Sequence, residues 1–194
     1  MVIWREPLKL LSIFIKKFLV FLWLPISIMS QTEMQSYQVV RSFSEVEIRF
    51  YPPVMMAKHT ANIEGSGFGK LFNYISGNNS KQTKIAMTTP VHMEKSKEVN
   101  SMAFVLPKHF NQNNTPLPNE DSLTVFEDQG GYFAAIRYSG YTSTVKEKEY
   151  TSVLKNLLEK EKITPSGLPK ILVYDSPYKF INRRNEILIP IEFN

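Results

Sequence analysis

The chain has 194 residues, 43% hydrophobic and 21% charged, which excludes a disordered polypeptide and suits one domain with a real core. Its net charge of +5 is uneven: Arg5, Lys9, Lys16 and Lys17 against Glu6 give residues 1–30 a net +3, while the other 19 basic and 17 acidic residues nearly cancel. No basic stripe runs among aromatics, so nucleic-acid binding is not expected. The absence of cysteine excludes thiol catalysis, disulfides, thiolate-bound metals, C-x-x-C-H cofactor attachment and a lipoprotein-type anchor.

In chain order, the first predicted element is a targeting segment. Residues 5–17 are basic and Phe18–Met29 (FLVFLWLPISIM) is an uninterrupted apolar run. That is the pattern of a secretory signal, cleaved or kept as a signal-anchor. The run alone is shorter than the roughly 20 residues needed to span a bilayer, and extending it back to Leu10 takes in Lys16 and Lys17. Either form places the following domain on the non-cytoplasmic side. The expected organisation is therefore residues 1–34 as leader and linker, and 35–194 as the domain.

Beyond the leader, alternation and helical spacing divide the chain. Val46, Ile48 and Phe50 alternate with Glu47 and Arg49 as in a half-buried strand. Tyr51-Pro52-Pro53 interrupts it, and residues 54–61 resume as a second strand. Phe68, Leu71, Phe72 and Ile75 fall at i, i+3, i+4 and i+7, one apolar helix face, with Gly77 placed to end the helix. Residues 85–93 and 102–106 read as strands, Pro90 confining the first to an edge or bulge. After the polar stretch 111–121, residues 123–126 and 132–138 read as strands around Gly130-Gly131. Thr144-x-x-Glu147 is a candidate capping box for a longer helix with Tyr150, Val153, Leu154, Leu157 and Leu158 on one face, stopped by Pro165 and Gly167. Residues 171–174 and 187–193 complete the pattern. Strand–strand–helix–strand–strand thus occurs twice, which predicts an α+β fold of duplicated βαββ repeats with both helices on one face of a curved antiparallel sheet.

Lys84-Ile85-Ala86-Met87-Thr88-Thr89-Pro90-Val91 (KIAMTTPV) resembles the signature of the SOUL haem-binding family, written around K-I-x-M-T-x-P-V. Gly67–Ile75 (GFGKLFNYI) resembles the family's first helix. Tyr174-Asp175-Ser176-Pro177, followed by Asn182-Arg183-Arg184-Asn185-Glu186, resembles its last loop, and Tyr37–Pro53 its opening. These matches come in order over residues 37–192.

The resemblance implies a monomeric domain with a barrel-like sheet. It also implies reversible binding of haem or another tetrapyrrole in an apolar groove between the first helix and the loop before the last strand. On this chain that groove belongs to Phe68, Leu71, Phe72 and Ile75 of the helix and to Tyr174, Tyr178 and Phe180 of the loop. Lys70, Lys179, Arg183 and Arg184 stand where propionates would be met. A porphyrin is a broad apolar disc with anionic edges, which suits aromatic walls and basic rims. By pattern alone the same helix face is what any amphipathic helix needs for its core.

The iron ligand is open. His59 shares strand parity with Met55, Ala57 and Ala61 and is the candidate, while His92 and His109 follow a proline break and sit in a turn. Some family members carry a proposed ligand histidine directly after the tyrosine matching Tyr51, where this chain has Pro52. Haem would then be held without a strong axial bond. No catalytic set is evident, though Glu47, Glu64, Glu127 and Asp128 could meet across a pocket. The function expected is capture, buffering or transfer of a tetrapyrrole outside the cytoplasm. One alternative is a lipophilic-ligand sensor or hydrolase of the related effector-binding type, recognisable by a buried Glu of shifted pKa. The other is a groove for a peptide or partner protein.

Overall fold

A computed structural model describes residues 32–62, 67–96 and 99–193. The apolar run 18–29 and Glu64 lie outside the described residues. The strands are β1 (Glu33–Met34), β2 (Gln38–Phe43), β3 (Val46–Tyr51), β4 (Val54–Asn62), β5 (Thr88–Thr89), β6 (Val91–Lys95), β7 (Val99–Val105), β8 (Leu123–Asp128), β9 (Gly131–Tyr138), β10 (Lys170–Val173) and β11 (Asn185–Pro190). Helix α1 (Phe68–Ile75) follows β4, and α2 (Thr144–Lys160) follows β9. Among the described residues no helix is long and apolar enough to cross a membrane.

Nine strands form one antiparallel sheet in the order β2-β3-β9-β11-β10-β6-β7-β4-β8. The duplication is visible in it, with a twist of connectivity. At the centre β6 of the first repeat pairs with β10 of the second, Val91 opposite Val173. The opening strands are exchanged: β3 pairs with β9, and β8 pairs with β4. Consecutive strands β3 and β4 therefore stand six places apart, joined only by Pro52 and Pro53. A flat sheet would separate them by about 29 Å, whereas the link bridges at most about 11 Å. The sheet must curl, and the equivalent link Gln129-Gly130 between β8 and β9 forces the same closure.

The two links touch. Gly130 has a φ of +68° and lies so near the Tyr51 carbonyl that a Cβ would overlap it. Gly130→Ala is accordingly expected to destabilise the domain by about 1–2 kcal/mol, combining a left-handed backbone with a clash. Urea unfolding would check this, and an unchanged midpoint would show that the link has room to yield.

Both helices cover the convex face. Leu154 and Leu158 of α2 pack on Val46, Ile48, Ala134, Ile136, Ile187 and Ile189, and Leu71, Tyr74 and Ile75 of α1 on Met55, Ala57, Phe104 and Leu106. Gly77, at φ +117°, follows the α1 cap as the spacing predicts. Three local expectations change. The cap of α2 is Ser143, whose side chain accepts the Lys146 N–H; Glu147 is buried instead, bridged to Lys95 at 2.8 Å. Residues 85–93 are not one strand: 84–87 carry no pairing, β5 pairs with β1, and β6 begins only after Pro90, at the centre of the sheet rather than at its edge. The exposed edge strand β2 had no alternating signal and was not expected.

Candidate functional site

Helix α1 divides its apolar stripe. Leu71 and Ile75 point into the core with Tyr74, while Phe68 and Phe72 face solvent, 41% and 49% exposed. Their rings stack on each other, centroids 6.0 Å apart and planes 13° from parallel, and Phe68 also meets the edge of Phe104 at 5.3 Å. Register extends this surface across the sheet. Phe104 is paired with Val91, and Val91 with Val173, so the three share the convex face. Val91 and Val173 are half-buried there. Two strand spacings, about 10 Å, therefore separate the Phe104 row from the end of β10, where the long loop 174–184 begins. The result is an apolar strip along the convex face, the candidate trough.

The loop is braced from within. Tyr174 N–H donates to the Arg184 carbonyl at its base. The buried Arg183 guanidinium donates to the carbonyls of Asp175, Ser176 and Lys179 and lies 4.4 Å from the Tyr141 ring centroid. Asp175 accepts from the Arg184 backbone and from Lys179 Nζ, both at 2.6 Å. Burial would raise the pKa of its carboxyl, but those bonds, with the charges of Lys179 and Arg183, together outweigh it and hold the group below the usual range. Tyr178, Phe180 and Ile181 are left outside. Of the rim cations, Lys70 and Lys179 are exposed, Lys70 beside Glu120 at 3.1 Å, whereas Arg183 is spent on the loop.

Tyr174 and Arg184 belong to the opposite, concave face. There Glu186 is fully buried and receives Arg49 on both oxygens, at 2.6 and 3.1 Å, together with Arg184 at 2.8 Å and the Tyr174 hydroxyl at 2.8 Å. Arg49 also holds Glu47 at 2.7 Å and stacks on Tyr37, and Arg184 lies over Tyr174 and reaches the Tyr37 hydroxyl. Burial alone would raise the Glu186 pKa, but the bonds and charges of the two arginines outweigh it and keep the carboxylate ionised. This is a buried carboxylate of shifted pKa, yet it is shifted down and its oxygens are taken, so it offers no free base. Glu47, Glu127 and Asp128 do not converge: Glu127 meets Gln112, and Asp128 meets Lys170 and the Gly130 N–H.

The histidines are dispersed. His59 is buried under Gly67, its Nδ1 3.0 Å from the Ser122 carbonyl, which therefore accepts its proton. His92 is on the concave face, Nε2 2.7 Å from Gln35 Oε1, with Nδ1 buried and unpartnered. His109 is exposed against Phe110. Among the described residues no cluster of three or more His, Asp or Glu is positioned to hold a metal ion. Ile181 and the Arg49–Glu186 pair were missed by sequence reasoning; the adjacency of Phe180-Ile181 was the only available signal for the first.

Comparison with known proteins gives the family and the fold. The model of the SOUL heme-binding protein family matches residues 32–190. Heme-binding protein 2 of Homo sapiens is 29% identical over 158 residues, covering 73% of this chain and 75% of that protein. Heme-binding protein 1 of Sus scrofa is 27% identical over 128 residues, 61% of this chain and 66% of that one. Among solved structures, a hydrolase from Listeria innocua superposes with a TM-score of 0.57 at 8% identity over 79% of this chain and 94% of its own. The EcmrR C-terminal domain gives 0.58 at 12% identity, over 81% and 99%. At such identities the last two share the fold alone.

Proposed function

The chain belongs to the SOUL heme-binding protein family, and from that premise we propose that it binds haem or a related tetrapyrrole reversibly in the trough beside α1. The observation that carries the reading is the stacked, solvent-facing pair Phe68 and Phe72 above an apolar floor. Aromatic side chains held in water beside Val91 and Val173 recover free energy when a flat apolar ligand covers them, at about 25 cal/mol per Å². Tyr178 and Phe180 form the far wall, and Lys70 and Lys179 meet the propionates. Arg183 and Tyr174 act at one remove, holding the loop in shape. Haem supplies a flat hydrophobic face and an iron centre, and these residues bind the face.

Attachment to a membrane, or export past it, through the apolar run Phe18–Met29 is part of the same proposal, as is a monomeric state. The role that follows is capture, buffering or transfer of the tetrapyrrole outside the cytoplasm. Titration with hemin tests it: a saturable Soret shift at one equivalent is expected, with affinity lowered at least about tenfold in Phe72→Asp. Because Phe72 is a surface residue, the variant should keep its unfolding midpoint. Uptake no greater than that of an unrelated control protein would sink the reading.

A further inference from the structure

On the concave face, opposite the trough, His92 is only 7% exposed. Gln35 Oε1 accepts the proton of its Nε2 at 2.7 Å, so Nδ1 presents a lone pair, buried and without a partner. An unpaired buried acceptor is costly, and native proteins rarely keep one without a use. The ring also lines a chamber of about 20 Å³, and Gln35, on the Nε2 side, does not. Nδ1 is therefore the nitrogen turned toward the chamber, which has room for one group the size of a hydroxyl.

The chamber is the deep end of something larger. Lys58, Glu94 and Ser101 border both it and a cleft of about 210 Å³ that opens beside the exposed Leu168. Lys58, Lys170, Glu94 and Asp128 surround the chamber, and their charges cancel. Glu94 stands opposite Lys170 on one side and Ser101 on the other. Asp128 comes from β8, four places from β10, about 19 Å in a flat sheet; the curl brings it to 3.7 Å from Lys170. These pairs are loose: Lys58 and Lys170 lie 3.7 and 3.4 Å from Glu94. Elsewhere the protein closes such pairs to 2.6 Å in Lys179–Asp175 and 2.8 Å in Lys95–Glu147. Among the described residues the side chains of Lys58, Lys170, Glu94 and Ser101 make no hydrogen bond. Their bonding capacity is unspent, and all of it faces one space.

The chemistry of that space selects its ligand. An anion would meet Glu94 and Asp128, and a cation would find Lys170 already between them. A hydroxyl accepts from an ammonium while donating to a carboxylate or an imidazole lone pair, and so serves every group present. We propose that the concave cleft binds a small neutral polyol, of monosaccharide or cyclitol size, whose hydroxyls bridge the loose lysine–carboxylate pairs and whose innermost hydroxyl donates to His92 Nδ1. Phe126 and Met56 give its C–H groups an apolar wall. The site shares no side chain with the trough and does not depend on tetrapyrrole binding.

The chain has three histidines, so imidazole nitrogen resonances report on the site directly. The full chain, labelled with nitrogen-15 in histidine, would be titrated separately with myo-inositol, D-glucose and glycerol. The expected result is a saturable upfield shift of His92 Nδ1 with at least one of them, while His59 and His109 stay in place. Lys58→Met should weaken that binding at least about fivefold, through loss of a charge-assisted bond. Its side chain is at the cleft wall, so the variant should keep its unfolding midpoint. No saturable shift with any of the three polyols overturns the proposal and leaves water as the content of the cleft. Binding that leaves Nδ1 unmoved, or that Lys58→Met does not weaken, also overturns it, because the polyol then sits elsewhere.

Discussion

Glu186→Ala should lower the stability of the domain by about 3–5 kcal/mol, the cost of leaving buried guanidinium groups without their counter-charge. For a domain of this size that is a fall of roughly 10–15 °C in the thermal midpoint. The expectation follows from position: the Arg49 side chain is almost fully buried, and its two bonds to Glu186 are the main compensation for its desolvation. Burial lowers the Arg49 pKa, and the bond and charge of Glu186 more than reverse this in the native protein; in the variant the intrinsic basicity of arginine still keeps it charged, so it cannot escape by deprotonation. The companion variant Arg49→Met/Glu186→Leu should recover much of the loss, because it removes both charges together. A shift of only a degree or two in Glu186→Ala would mean that water enters the concave face and solvates the arginines.

Acidification should weaken the domain well before any carboxylate titrates, through His92. Burial, and secondarily the positive charge of Lys170, push its pKa from 6.5 down to about 3. The unfolded chain takes up a proton below pH 6.5 that the folded chain refuses until about pH 3, so stability falls throughout that window as pH drops. By pH 4.5 the loss is about 3 kcal/mol. His92→Leu should flatten the stability profile between pH 6.5 and 4.5 while leaving the more acidic limb. That remaining limb belongs in part to Glu186: its depressed pKa gives stabilisation that is complete above about 4.5 and disappears as pH falls through the lower native value. Equal slopes for the two proteins between pH 6.5 and 4.5 would show that His92 is protonated in the native state.

The parts of this fold that were legible in the sequence were those set by local periodicity. Leu71 and Ile75 at helical spacing, Gly77 after them, and the alternation of Val46, Ile48 and Phe50 each correspond to the element expected. Duplication was legible too, but not the exchange of β3 and β8, since nothing in a strand's own sequence names its partner. The concave cluster was hidden for a related reason. Glu47, Arg49 and Glu186 alternate with apolar residues and so look solvated. Only when the sheet curls does their side become an interior, and the curl is imposed by two short links rather than by the strands. For the candidate trough, the apolar stripe of α1 was plain, while its division into core residues and outward rings depended on which side the helix docked. Ile85–Met87 looked like strand because Ile85 and Met87 are apolar, yet they pack with α1 without strand pairing.

The exchange of opening strands has a consequence for the order in which the chain acquires structure. Ile48 pairs with Ala134, and β9 reaches the rest of the sheet only through β11, which lies between it and β10. During vectorial synthesis the first repeat therefore emerges without a partner for its first strand. The late strand Asn185–Pro190 is the keystone: until it is in place, β2-β3-β9 and the remaining five strands are separate ribbons. Long-range pairing of this kind is slow to form. The last strand to be made is thus the one that joins two ribbons into a single sheet.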